Sequence, residues 1–487
     1  MSAPTISELD QLAGRALPTV PGTRTGAGTG ETLDELCERF ESLCANAVDA
    51  LELAAGLESD GMSDQTARVR YGYPDVFSLA EEMYRRTLRD PAEPAPAENP
   101  WHSPVGRHLL HGLLFGLPAL CFPVAGPLMA GRGPLVVLVA AMLTAWSASQ
   151  GLSYLGHARR SRLDGPGSRR VLRVGLPIGV AGLTAVVLPA GLFLHLGWPV
   201  LVFAIGQGGY LLGATVLLVC GADWWLAGAL APGVLVSTMY LLAGQPAWSR
   251  SLTWWAVELS LALTIGFAVY RTTWPRPKPM SGPFRAAELR AAGPTAVFGL
   301  LVAGLLTFPL LVAKFLPGQR LDTGALLGAL PLSLSMGIAE WRLYAFRGRI
   351  DRLMRRTDRL AEFSVGARLV LSAVLAEYVL SAGALAVAVA ALARLLGIDL
   401  RWTDGPAFLG YLALGSALFL ALLLQVCIGA LPVLGWCAGA LAAEAALVFF
   451  TPYAPVLRVQ LVVAAGMAVA LLWHAAITLG RVSRHAA

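Results

Sequence analysis

Twelve apolar runs dominate the sequence beyond residue 105, at roughly 108–128, 134–156, 173–195, 198–220, 224–244, 252–271, 294–315, 322–345, 367–394, 406–427, 429–450 and 456–480. A run of about 20 such residues spans the roughly 30 Å hydrocarbon core of a bilayer as a helix. No water is present there to take an unpaired amide or carbonyl. Each run must therefore close its own backbone hydrogen bonds, which selects helix over open sheet. The expected fold class is all-α: a polytopic membrane protein with about 12 transmembrane helices. Composition agrees, since 14% of the residues are charged against about 25% in an average soluble domain. An ordinary soluble enzyme is excluded on that ground.

The loops orient the spans. With the N-terminus inside, 22 Lys and Arg residues fall in inner segments and seven in outer ones. The inner set includes six Arg in 157–173, five Lys or Arg in 271–290 and eight Arg in 342–368. This positive-inside bias places both termini in the cytoplasm. A multi-pass protein of the bacterial plasma membrane is the expected localisation. Basic residues in short loops of this kind serve topology, so no nucleic-acid partner is expected.

The first 105 residues are built differently. They carry 18 acidic and 8 basic side chains, whereas the remainder carries 13 and 29. Residues 1–30, rich in Gly, Thr and Pro, read as a disordered tail. Residues 31–90 read as a small acidic helical domain. Thr32 caps a helix running to about Leu57, and shorter helices follow at 63–71 and 75–89. The long helix carries one apolar stripe (Leu33, Leu36, Cys37, Phe40, Leu43, Cys44 and onward) that requires a partner surface. So small a core is marginal alone, and the domain is expected to dock. A Pro-rich linker occupies 91–105. The six cysteines show no spacing that suggests a disulfide or zinc framework.

Short patterns recur in order along the membrane part. Ser147-Ala-Ser149-Gln-Gly151 is matched by Ser333-Leu-Ser335-Met-Gly337. Phe115-Gly-Leu117 followed by Phe122-Pro123 is matched by Phe298-Gly-Leu300 followed by Phe308-Pro309. Gly209-Tyr-Leu-Leu-Gly213 is matched by Gly410-Tyr-Leu-Ala-Leu-Gly415. They divide the region into two six-helix halves, 106–271 and 294–481, joined by a cytoplasmic linker at 272–293. Six being even, both halves enter the membrane in the same sense and form a parallel repeat. Shared Gly and Leu content is the competing explanation.

Two parallel six-helix bundles with both termini inside resemble the multidrug/oligosaccharidyl-lipid/polysaccharide flippase superfamily, in particular its polysaccharide-exporting branches. The resemblance covers about 106–481 and rests on topology and these short patterns. It implies export or flipping of a lipid-linked or polymeric sugar by alternating access. The acidic N-terminal domain departs from the usual form of that family, in which the first membrane helix starts near the N-terminus. Major-facilitator transporters also have parallel repeats, but their short basic motif between spans 2 and 3 has no clear copy.

An ionisable side chain deep in a span is a functional candidate by default. Glu258, Glu377 and Glu444 are those candidates for the transport pathway, suited to a proton-coupled step or a sugar hydroxyl. Locking two helices together is the alternative for each. Gln150, Gln207, Tyr210 and Gln425 can hydrogen-bond a glycan, or pack. The basic stretch from Glu340 to Arg359 extends span 8 as a helix. Within it Arg342, Arg347 and Arg349 can attract a pyrophosphate or anionic headgroups, or simply anchor the span. Glu340 and Arg347, seven apart, share a face. His195 and His474 have no partner at ligand spacing, so no metal-ligating set, cofactor or catalytic residue is expected.

The leading expectation is a non-enzymatic transporter of a cell-envelope glycan. A scaffold that recruits a glycan synthase or glycosyltransferase through its N-terminal domain is the second. A membrane-embedded glycosyltransferase ranks third because all outer loops are short.

Overall fold

The computed structural model describes residues 32–86, 104–274, 285–316, 319 and 323–479, apart from 48, 129–130, 358, 399, 401–403 and 452. The expected tail at 1–30, most of the 91–105 linker and the centre of the 272–293 linker lie outside the described residues. The chain divides into two compact units, 1–98 and 99–487.

In the first unit, Thr32 opens α1 (Leu33–Arg39) with a capping box in which Glu35 returns a bond to the Thr32 amide at 2.7 Å. The expected single helix to Leu57 is broken twice. Phe40 leaves helical geometry between α1 and α2 (Glu41–Asn46). Asp49 then caps a new helix, α3 (Ala50–Ser59), by accepting the Glu52 amide at 2.9 Å. A short Asx side chain offers the backbone this local alternative to continued helix. Residues 64–71 form a helical turn that widens into π geometry and stops at Gly72, where φ is +77°. Then α4 (Val76–Arg86) begins. The apolar stripe finds its partner inside the domain: Leu36, Leu53, Ala54 and Leu57 close over Val76, Leu79, Ala80 and Met83, all buried.

The second unit is a multi-pass membrane protein. Its helices are α5 (Val105–Gly116), α6 (Arg132–Arg160), α7 (Gly165–Phe193), α8 (Trp198–Val219), α9 (Asp223–Leu242) and α10 (Arg250–Thr273), followed by α11 (Ala286–Phe315), α12 (Thr323–Arg356), α13 (Leu360–Leu395), α14 (Gly405–Ile428), α15 (Leu431–Phe450) and α16 (Val456–Thr478). Eleven of the twelve spans are long and apolar enough to cross a bilayer. The remaining one, α12, runs unbroken from an apolar half into the Arg-rich stretch and ends at Arg356. The first span is not continuous. Beyond Gly116 it tightens into a 3₁₀ stretch, Leu117–Cys121, and one further turn, Phe122–Ala125. Pro118 and Pro123 lack the amides that an α-helix would need there.

The two halves pack alike. In the first, α6 touches α7 and α8, α7 touches α8, α8 touches α9 and α10, α9 touches α10, and the α5 segment touches α9. Adding six to every label gives pairs that also pack: α12 with α13 and α14, α13 with α14, α14 with α15 and α16, α15 with α16, and α11 with α15. Between the halves run two seams that exchange under the same rule, α5 against α12 and α11 against α6.

The recurring sequence patterns sit on these contacts. Ser147 donates to the Ala296 carbonyl across the α6–α11 seam at 3.0 Å. Gly299 leaves room there for Trp146 and Gln150. On the other seam Gly337 meets Gly112 so closely that a Cβ at 337 would stand 2.0 Å from the His108 carbonyl oxygen. Gly209 and Gly410 each let the fourth helix of their half approach the sixth, at Ile265 and at Leu457–Leu461. Small residues at such crossings are what membrane helices use to bring backbones together.

Candidate functional site

Two of the expected glutamates lie within the bundles. Glu444 on α15 is 1% exposed, and its Oε2 has no hydrogen-bond partner. Buried Tyr411 of α14 stands near it, with buried Gln460 of α16 beside that phenol group. Glu258 on α10 faces Gly206 of α8, and its Oε1 is likewise buried and unpartnered. Glu258 belongs to the first half and Glu444 to the second. A buried polar atom left without a partner costs about 1–3 kcal/mol, so both positions suit a proton, a cation or a substrate hydroxyl.

Glu377 is different. It is the shared counter-ion of Arg342 at 2.6 Å and Arg349 at 2.8 Å, which reach it from α12. These two arginines are seven apart and share the helix face turned to α13. Glu340 is turned to α5, and Arg347 donates to the Val426 carbonyl at the end of α14. The three candidate arginines therefore do not converge on one point. Arg342 is also stacked on Trp341, 4.2 Å from the ring centre.

The amide and phenol candidates split as well. Gln150 packs on Gly299 at the α6–α11 seam. Gln207 is half-buried on α8, and Gln425 keeps a buried, unpartnered Oε1 on α14. Tyr210 has a structural task. Its hydroxyl donates, at 3.5 Å, to the Leu114 carbonyl, the group that Pro118 deprives of its helical amide. It stabilises the α5 break and is not free to meet a ligand.

Sequence reasoning missed two polar clusters that join the halves near the basic ends of the seams. On the α6–α11 seam, Arg159 is 2% exposed and donates to Glu288 at 2.6 Å, with Asp164 3.4 Å away. Arg162 binds the other Glu288 oxygen at 3.0 Å. On the α5–α12 seam, His111 Nδ1 lies 2.6 Å from Glu340 Oε2, and its Nε2 lies 3.3 Å from Asp223 Oδ2. Arg107 also holds Asp223, at 3.1 Å. His108 is 2% exposed, has neither ring nitrogen in a hydrogen bond, and approaches Glu340 at 3.4 Å. His108, His111 and Glu340 each offer a ligand atom within 4.8 Å of the others. The expectation of no metal-ligating set considered His195 and His474. The visible signal was His-x-x-His at 108–111, whose spacing puts both rings on one helix face. Its third member stands 229 residues away in sequence, where periodicity carries no information.

Neither a family model nor a curated protein matches the sequence. Among solved structures, the fold is similar to a crystal structure of MATE in complex with MaL6, with a TM-score of 0.46 and 15% identity over 76% of this chain and 94% of that one.

Proposed function

We propose that the protein is a membrane transporter that flips or exports a lipid-linked or polymeric cell-envelope glycan by alternating access of its two six-helix halves, with both termini in the cytoplasm. The observation that carries this reading is the pair of equivalent seams, α5–α12 and α6–α11, between halves that repeat one packing pattern. Two seams related in this way provide an axis about which the halves can rock. Polar clusters at Glu288 and Glu340 hold them together at the basic, cytoplasmic end. Charged groups of this kind regain hydration when a cleft opens to water, as a continuous apolar interface does not. Glu258 and Glu444 supply one buried carboxyl per half for coupling or for sugar hydroxyls. The Arg342–Glu377–Arg349 cluster supplies cationic groups for an anionic headgroup.

Native mass spectrometry of the protein gently solubilised from its own membranes should retain a lipid-linked sugar. Export should fall in Glu258→Gln and Glu444→Gln while the unfolding temperature stays unchanged. Unchanged export in the triple variant with Glu377→Gln would sink the site assignment. Deleting residues 1–100 should leave part of the export. Complete loss, with a co-purifying synthase and no lipid-linked sugar, would favour the scaffold.

A further inference from the structure

We propose that His108, His111 and Glu340 form a binding site for a divalent first-row transition-metal ion of the Zn²⁺ class, with Asp223 as the outer group that orients His111.

The donor set is two imidazoles and one carboxylate, a combination suited to Zn²⁺ with a further position open to water. His108 and His111 come from successive turns of α5, and Glu340 meets them from α12. Their donor atoms already lie within 4.8 Å of one another. Donors of a tetrahedral Zn²⁺ stand about 3.3 Å apart, so rotamer adjustments of about 1 Å close the set.

Three further observations point to an ion. Both nitrogens of the His108 ring are buried and without a hydrogen bond. An imidazole so placed loses its hydration with no return unless one nitrogen takes a ligand. His111 turns Nδ1 to the Glu340 carboxylate and Nε2 to Asp223. With an ion on Nδ1, the Nε2–H would face Asp223, 3.3 Å away, the carboxylate–histidine–metal arrangement in which an outer carboxylate fixes the tautomer. Asp223 is itself held by Arg107 at 3.1 Å, so the outer carboxylate already stands within reach of the ring. The Glu340 side chain is 32% exposed, which gives the site an entry path.

The site has a consequence for the molecule. Two ligands belong to the first half and one to the second, so a bound ion ties α5 to α12 where Gly112 and Gly337 already bring the two backbones together. Zn²⁺ at this point holds the halves closed on that side.

The test uses the full chain, purified with a chelator and then dialysed against Zn²⁺ or Co²⁺. Metal analysis should find one bound Zn²⁺ per chain, and Co²⁺ should give visible ligand-field bands. His111→Ala and His108→Ala should each weaken binding at least about 100-fold, and Asp223→Asn about 10-fold, as loss of an outer-shell partner does. His474→Ala, remote from the set, should bind as the wild type does. Glu340→Gln keeps both rings and the helix crossing. Loss of the His111–Glu340 pair should lower its unfolding temperature in chelator, and Zn²⁺ should add none of the rise that it gives the wild type. The proposal is overturned if no ion is retained, if Glu340→Gln keeps wild-type affinity, or if His474→Ala loses as much as His111→Ala.

Discussion

Substituting Gly337 by Ala tests the closest contact between the two halves. The new Cβ would stand 2.0 Å from the His108 oxygen, 2.6 Å from the Gly112 nitrogen and 3.0 Å from the Gly112 Cα. Ordinary contact begins near 3.5 Å, and all three neighbours are backbone, so no rotamer change relieves the clash. The helices α5 and α12 must part by about 1.5 Å to restore that contact distance. Overpacking of this kind costs roughly 1–3 kcal/mol, offset by up to about 1 kcal/mol from the better helix propensity of Ala. Gly466 on α16 is the matched control, because a Cβ there meets nothing within 4 Å. Gly466→Ala should be neutral or stabilise by about 0.4–1 kcal/mol. Ala gains about the same at both positions, so the gap between the two variants is about 1–3 kcal/mol, or about 2–6 °C in unfolding temperature at roughly 2 °C per kcal/mol. Gly116→Ala should fall between them, since its neighbour at 2.3 Å is the movable end of Leu334. Thermal unfolding of the three variants side by side decides the matter. If Gly337→Ala unfolds within about 1 °C of Gly466→Ala, less than the shift of a single kcal/mol, the crossing described here is wrong.

Tyr210→Phe should cost about 0.5–1.5 kcal/mol, the worth of one hydrogen bond, and leave export intact; loss of export at unchanged stability would move Tyr210 into the pathway. Glu288→Gln strips the main counter-ion from buried Arg159. It should destabilise by less than the roughly 3–5 kcal/mol typical of a broken buried pair, because Asp164 remains 3.4 Å away, and a neutral result in thermal unfolding would contradict the α6–α11 linkage. In the first unit, the Ser78 amide beside Asp75 holds its carboxyl below the usual range, as Arg86 and Arg85 do for Glu82. Carboxyls lowered on folding contribute stability above their unfolded values, near pH 4, and lose it as pH falls through the folded ones. Hydrogen-exchange protection of α4, corrected for intrinsic rates, should therefore hold down to about pH 5 and fall below about pH 4. Protection that does not fall at all as the pH is lowered below about 4 would refute the capping role of Asp75.

Much of the architecture is legible in local pattern. The spans are visible because an apolar segment in lipid has only the helical solution. The capping box at Thr32 is a contact between residues three apart, and the end of α12 follows its arginines. The mistakes were local conflicts settled by context. Asp49 started a new helix inside a run that periodicity would have continued unbroken to Leu57, and Pro118 broke a span that hydropathy draws as one run. Glu377 reads from sequence as a lone buried acid. Its partners Arg342 and Arg349 are 35 and 28 residues away on another helix, and only the packing of α12 on α13 pairs them.

Sequence by itself determined that this chain is an all-helical, multi-pass membrane protein with an acidic helical N-terminal domain, and it carried the paired Ser-x-Ser-x-Gly patterns of the two halves. Those properties depend on transfer free energies and on neighbours within a turn or two. Tertiary structure alone decided which glutamates are paired and which are alone, that the repeated patterns lie on helix crossings within and between the halves, and that His108, His111, Asp223 and Glu340 meet. Those outcomes depend on contacts between residues 28 to 229 positions apart on different helices, which no periodicity encodes and which helix crossings at small residues create.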